Sequence, residues 1–351
     1  MLLNLHSHLE GSVRPSTAGQ LAETLGIPPP PQGWKTAMTM ASPANLTVFL
    51  QHVSSVYPLL GTRDALRRVA REAVEDAHAD GQDYVEIRFG PGTHVRPDLT
   101  LSHVLNAVDE GIREGAAHTG MPAGLIVCML RHHSPDINAA VAQAACSLAG
   151  SAVVALDLAG DERLFPDLEP FAPMFAAANA AGLGITVHAG EAAPGRAVQD
   201  AVQLFGTRRI GHGSRLADDP ALLTWARQEQ VCIEVCLSSN ILTGAANSLR
   251  DHPITAFLNS GCRVVLGDDD PITTGMRASD ELGLLRSQLN LTAAHLQQIS
   301  DTSIDVAFCT PQTKAELRER LNTSPACSPN VVRHAAWKRE SACRTTRYWT
   351  S

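Results

Sequence analysis

Aromatic side chains are scarce in this chain: Phe, Trp and Tyr make up 4% of 351 residues. Its core must be filled by aliphatic residues and an abundance of alanine, which suits many packed helices. No apolar run of 18 or more residues occurs, so no membrane-spanning helix is expected. No basic segment followed by an apolar one opens the chain, so no secretory leader is expected. Positive charge is also in short supply. Lys and Arg number 28 against 36 Asp and Glu, a net charge of −8, which argues against a nucleic-acid backbone as partner. No C-x-x-C spacing joins Cys232 to Cys236, so that pair is not read as a zinc site. The 8 cysteines are scattered, and Cys128, Cys232 and Cys236 sit in apolar runs. Buried free thiols in a reducing, cytoplasmic compartment fit best. No G-x-G-x-x-G follows an early strand, which removes the dinucleotide-binding fingerprint.

Short β-rich runs alternate with longer helical ones. Strands are expected at Leu2–His6, Tyr84–Phe89, Gly124–Cys128, Ala152–Asp157, Gly184–His188, Arg209–Gly211, Cys232–Val235 and Arg263–Leu266. Between them lie amphipathic stretches. The clearest is Thr62–Ala79, with Ala65, Leu66, Val69, Ala70, Ala73 and Val74 at helical spacing. Eight strands separated by helices predict a parallel sheet, and in a chain of this size a (β/α)8 TIM barrel of the α/β class; an open doubly wound sheet is the second choice. The run Pro28–Pro31 reads as a loop or cap, and residues 34–61 as a helical insertion near the barrel mouth. The barrel is expected to occupy residues 1–321. Residues 322–351 differ: five Lys or Arg stand there against one Glu, without helical periodicity, and they read as a basic, disordered tail.

Barrels carry their chemistry at the C-terminal ends of their strands. Four polar clusters stand where apolar runs stop. His6 and His8 are two apart on the first strand, so both project to one side. His188 and Glu191 follow Gly184–Val187. His212 is bracketed by Gly211 and Gly213. Asp268, Asp269 and Asp270 follow Val264–Leu266. Each has an inert reading: core or turn histidines, a helix-capping glutamate, a solvated acidic helix start. Four such clusters at four strand ends favour the chemical reading. Three His and one Asp form a first shell for Zn²⁺ with a place left for water, and a further His, Glu and Asp remain for proton handling.

The runs LHSHLEGSVRP, YVEIRF, RHHSP, LDLAGDE, VHAGE, RIGHG, CLSSN and DDDP resemble, in order and spacing, the adenosine deaminase family of the amidohydrolase superfamily. The resemblance covers residues 2–321. It implies one zinc ion per chain held by His6, His8, His188 and Asp269. It implies that Glu191 protonates a purine ring at N1, that His212 positions the attacking water and can take its proton, and that Asp270 orients this nucleophile and contacts ring N7. The backbone N–H of Gly160 would meet ring N3. Phe49 and Leu50, in the insertion, are expected as apolar substrate contacts.

The match departs from the family pattern in places. Glu10 stands where adenosine deaminases carry an Asp that contacts the sugar, and the longer acid is more typical of adenine deaminases and futalosine-type enzymes. Leu237 replaces a Pro, and Asp268 a Ser or Thr. Three adjacent acids disfavour a phosphorylated substrate. The expected activity is hydrolytic deamination of a 6-aminopurine nucleoside. Adenine, a 5′-modified adenosine of the aminodeoxyfutalosine type, and a catalytically inactive purine-binding barrel are the alternatives. The partner is a small purine, with no nucleic acid and no membrane.

Overall fold

Valine, isoleucine and leucine dominate the predicted strands because both faces of each strand are covered, one by the barrel interior and one by the helical shell. The computed structural model describes residues 1–289 and 291–323. Its strands are β1 (Leu3–His8), β2 (Tyr84–Phe89), β3 (Ala123–Leu130), β4 (Val153–Ala159), β5 (Gly184–Ala189), β6 (Arg209–His212), β7 (Cys232–Val235) and β8 (Arg263–Leu266). They pair in parallel and in sequence order, which makes the architecture a TIM barrel. β1, β3 and β4 run two residues past the expected ends. Sequence patterning stops a strand at its first polar residues, whereas the ladder continues through them to the barrel rim.

The barrel closes at a narrow seam. Ser7 on β1 bridges Asp269, just after β8. His8 N–H donates to the Asp269 carbonyl at 2.6 Å, and Asp269 N–H donates to the His6 carbonyl at 2.9 Å. The seam is tight enough to require glycine beside it. A β-carbon on Gly267 would fall 2.7 Å from the His6 carbonyl oxygen and 2.5 Å from its Cβ.

Helices form where the patterning placed them. Arg63–Ala79 is capped by Thr62, whose hydroxyl accepts from Ala65 N–H, and its expected apolar stripe is buried. The insertion folds into the helices Gly33–Met38 and Leu46–Ser54 and a 3-10 turn at Tyr57–Leu60. Four bonds tie it to the barrel mouth: Thr39 Oγ1–H to the Ile272 carbonyl (2.9 Å), Met40 N–H to the Thr273 carbonyl (2.9 Å), Ala44 N–H to the Leu242 carbonyl (2.9 Å) and Thr47 Oγ1–H to Asp161 (2.9 Å). The expected tail lies outside the described residues except for Asn322 and Thr323, which end the helix Pro311–Thr323. No helix among the described residues is long and apolar enough to cross a membrane.

Gly267→Ala will overpack the seam, lowering stability by about 1–3 kcal/mol. Urea unfolding at fixed metal content measures this, and an unchanged midpoint would show that β1 yields freely.

Candidate active site

Residues from opposite ends of the chain converge at the seam. His6, His8, His188 and Asp269 each offer one donor atom, and the four atoms lie within 4.8 Å of one another. His6 Nε2 and His8 Nε2 are each 3.4 Å from Asp269 Oδ1, and His8 Nε2 is 3.3 Å from His188 Nε2. Asp269 holds a left-handed backbone, φ 60°, as does His212 at φ 64°. Such conformations persist where the surrounding structure forces them, commonly at functional sites.

The donor set fits a cation. His6 Nδ1–H donates to Glu234 at 2.8 Å, and His188 Nδ1–H donates to Asp157 at 3.1 Å. In its neutral form each ring thus turns an unprotonated Nε2 toward the common centre. His6 Nε2 is buried and has no hydrogen-bond partner. Lone pairs crowded this closely, beside one carboxylate, are complemented by a positive ion. Three nitrogens and one oxygen, with carboxylates behind two of the imidazoles, suit Zn²⁺.

The carboxylates behind the histidines were not singled out from sequence. Arg88 spans both, donating to Asp157 at 3.0 Å and to Glu234 at 2.9 Å. Arg209 donates to Glu234 and to Glu86, each at 2.7 Å. All five groups are buried inside the barrel. The available signal was a charged residue interrupting an apolar strand: Glu86 and Arg88 in YVEIRF, Asp157 in LDLA, Glu234 in CIEV.

Above the seam lies a cavity of about 310 Å³. His8, His188 and Asp269 line it, together with Glu10, Phe49, Leu50, Gly160, Glu191, His212 and Asp270. Every expected site residue is therefore gathered here except His6, which is fully buried behind it. Glu191 accepts from Thr243 Oγ1–H at 2.8 Å. Desolvation, with the Asp269 charge nearby, holds its carboxyl well above the usual range. The loop carrying it is shaped by Glu162, a second residue missed from sequence, which accepts from the backbone N–H groups of residues 190–193. Desolvation also holds the His212 ring well below its usual range. Asp270 packs where Gly11 leaves room: a β-carbon there would lie 1.9 Å from Asp270 Oδ1. Glu10 is anchored by the Gly90 N–H at 3.3 Å and by His94 Nε2 at 3.0 Å. Phe49 is buried against Met40, Val53 and Leu242, while Leu50 is half-buried.

A parallel eight-stranded barrel that closes on three histidines and an aspartate, with a protonatable carboxyl across the cavity, defines a metal-dependent hydrolase of the amidohydrolase type. The adenosine deaminase family profile matches residues 2–324. Adenosine deaminase of Escherichia coli O1:K1 / APEC is 35% identical over 332 residues, covering 91% of this chain and 97% of that one. The chain belongs to the adenosine deaminase family and is a metal-dependent hydrolytic deaminase. Among solved structures, adenine deaminase from Arthrobacter aurescens superposes with TM-score 0.84 at 26% identity, covering 92% of this chain and 98% of that one. An amidohydrolase from Burkholderia ambifaria with bound Zn gives TM-score 0.83 at 27% identity, covering 91% and 88%. The N6-methyl-AMP deaminase of Arabidopsis thaliana shares the fold, with TM-score 0.79 at 24% identity over 92% and 96%.

Glu234→Gln removes the charge behind His6 while keeping its volume. Zinc affinity, measured by competition with a chelator, is expected to fall about 10–100-fold; unchanged affinity would show that His6 needs no carboxylate to orient it.

Proposed function

We propose that this protein converts a neutral 6-aminopurine nucleoside of the adenosine type and water into the 6-oxopurine and ammonia, using zinc held by His6, His8, His188 and Asp269. Glu191 carries this reading. Its carboxyl faces the same cavity as His8, His188 and Asp269, and burial pushes it well above the usual carboxylate range, toward the protonated form, so it can give a proton to ring N1 and make C6 electrophilic. A divalent cation in the donor group supplies the Lewis acidity that makes water nucleophilic near neutral pH. Asp270 and His212 stand beside the attack position, and Asp270 also faces ring N7. Gly160 presents its N–H to ring N3. Phe49 and Leu50 cover the ring and keep bulk water out.

Charge selects the substrate class. No Lys or Arg is among the residues that line the cavity, and Glu10 lies at its wall, so a 5′-phosphate would meet acids without a cation. A second reading, deamination of free adenine, draws support from Glu10. His94 and Gly90 N–H hold one carboxylate oxygen back, which leaves the other to accept from a ring N9–H or from a sugar hydroxyl. Six described cysteines are unpaired, which agrees with a cytoplasmic location for the enzyme.

Absorbance-monitored turnover over adenosine, adenine, 5′-modified adenosines and AMP tests the assignment. Adenosine is expected to turn over and AMP at least about 100-fold less well, in line with an uncompensated charge. Turnover of adenine alone would select the second reading. Removal of metal by a chelator should abolish activity, and added Zn²⁺ should restore it. Glu191→Gln should retain zinc yet lose about 10²–10⁴-fold in kcat; near-normal turnover would remove Glu191 from the chemistry.

A further inference from the structure

His212 turns one ring nitrogen toward the reaction centre: Nε2 lies 3.8 Å from Glu191 Oε2 and 4.0 Å from Asp269 Oδ2. Whether a neutral imidazole meets that centre as donor or as acceptor depends on what its other nitrogen bonds to. Here the answer follows from a chain of hydrogen bonds that starts at a backbone amide. The N–H of Ile254 donates to His252 Nδ1 at 3.1 Å. An amide N–H only donates, so Nδ1 of His252 carries a lone pair and the ring's proton is on Nε2. That Nε2–H donates to Asn240 Oδ1 at 3.1 Å. The Asn240 amide is thereby oriented, and its NH₂ donates to His212 Nδ1 at 3.0 Å. His212 Nδ1 is then an acceptor, and the proton of the neutral ring sits on Nε2.

Solvent does not scramble this order, since Asn240, His212 and His252 are 0%, 2% and 3% exposed. Burial also pushes His252 down to about 3, in agreement with the neutral ring that the Ile254 bond requires. The opposite tautomer of His212 would aim Nδ1–H at the Asn240 NH₂ and leave two buried donors facing each other, a penalty of about 1–3 kcal/mol or more.

We infer that Asn240 and His252 are positioning residues that lock His212 in its Nε2–H tautomer, so that it meets the attacking water as a hydrogen-bond donor and has no lone pair there to take a proton. Neither residue lines the cavity. What His212 faces rests on the deaminase reading above; the tautomer itself does not.

The test is the ¹⁵N spectrum of His-labelled, zinc-loaded protein, with the His212 signals assigned by their loss in His212→Asn. The expected result is a protonated Nε2 and a bare Nδ1. Asn240→Asp offers only acceptors to both rings, so it should move a proton onto His212 Nδ1. With it, kcat should fall on the order of 10²-fold, with KM within about threefold. His252→Gln, which can still donate to Asn240 and accept from Ile254, should keep the wild-type tautomer and kcat within about threefold, whereas His252→Phe should lose both. A bare Nε2 on wild-type His212 overturns the inference, as does an Asn240→Asp protein with unaltered tautomer and turnover. If no purine is deaminated by the wild type, the functional reading fails, while the spectrum still decides the tautomer.

Discussion

The barrel closes on its own ligands. β1 and β8 meet through the backbone of Ser7, His8 and Asp269, and the side chains of His6, His8 and Asp269 are three of the four donors. Closing the sheet and assembling the metal group are therefore one event. A register slip of one residue at this seam would turn His6 and His8 outward together, because alternate side chains share a face. The left-handed backbone at Asp269 is the local cost of bringing its carboxylate back over β1. A bound cation acts on the same seam from inside, so metal binding and barrel closure reinforce each other.

Beneath the seam, three carboxylates (Glu86, Asp157 and Glu234) share two guanidiniums, Arg88 and Arg209. Burying such a network is a poor route to stability, since well-packed apolar residues of equal volume serve as well or better. What apolar residues cannot do is fix imidazole tautomers. Arg88 touches the carboxylate behind His6, the carboxylate behind His188 and the Leu5 carbonyl, so one planar group sets the spacing of two ligands. Its rigid fork is suited to that task in a way a lysine ammonium is not.

Strand positions were legible in the sequence because burial on both faces gives unbroken apolar runs, and five of the eight strands (β2, β5, β6, β7 and β8) lie within one residue of their expected ends. The donors were legible because His6 and His8 alternate along a strand and the other ligands end strands. The supporting residues were hidden for a physical reason. Arg88 and Glu234 are 146 positions apart, and Thr243 and Glu191 are 52 apart; their pairing exists only once the barrel closes. Asn240 ends the run CLSSN and His252 lies in none of the matching runs, and only the direction of their hydrogen bonds gives them a role. Phe49 and Leu50 line the cavity, and their helix is held there by Ala44 N–H on the Leu242 carbonyl and Thr47 Oγ1–H on Asp161, pairings that no local pattern reveals.

One of those bonds ends on a short element that also serves the site. The helix Leu237–Leu242 receives the insertion through Ala44 N–H on the Leu242 carbonyl, and Leu242 packs against Phe49. From the same helix Asn240 reaches His212, and Thr243, the residue that ends it, reaches Glu191. The cover over the cavity, His212 and Glu191 are thus fastened to two turns of backbone. A shift of that helix would change all three together. In the proposed reaction, substrate enclosure and proton handling are mechanically one unit, and Leu237, where the family pattern has proline, begins the helix that joins them: it is fully buried, so packing supplies there the rigidity that a proline ring would give.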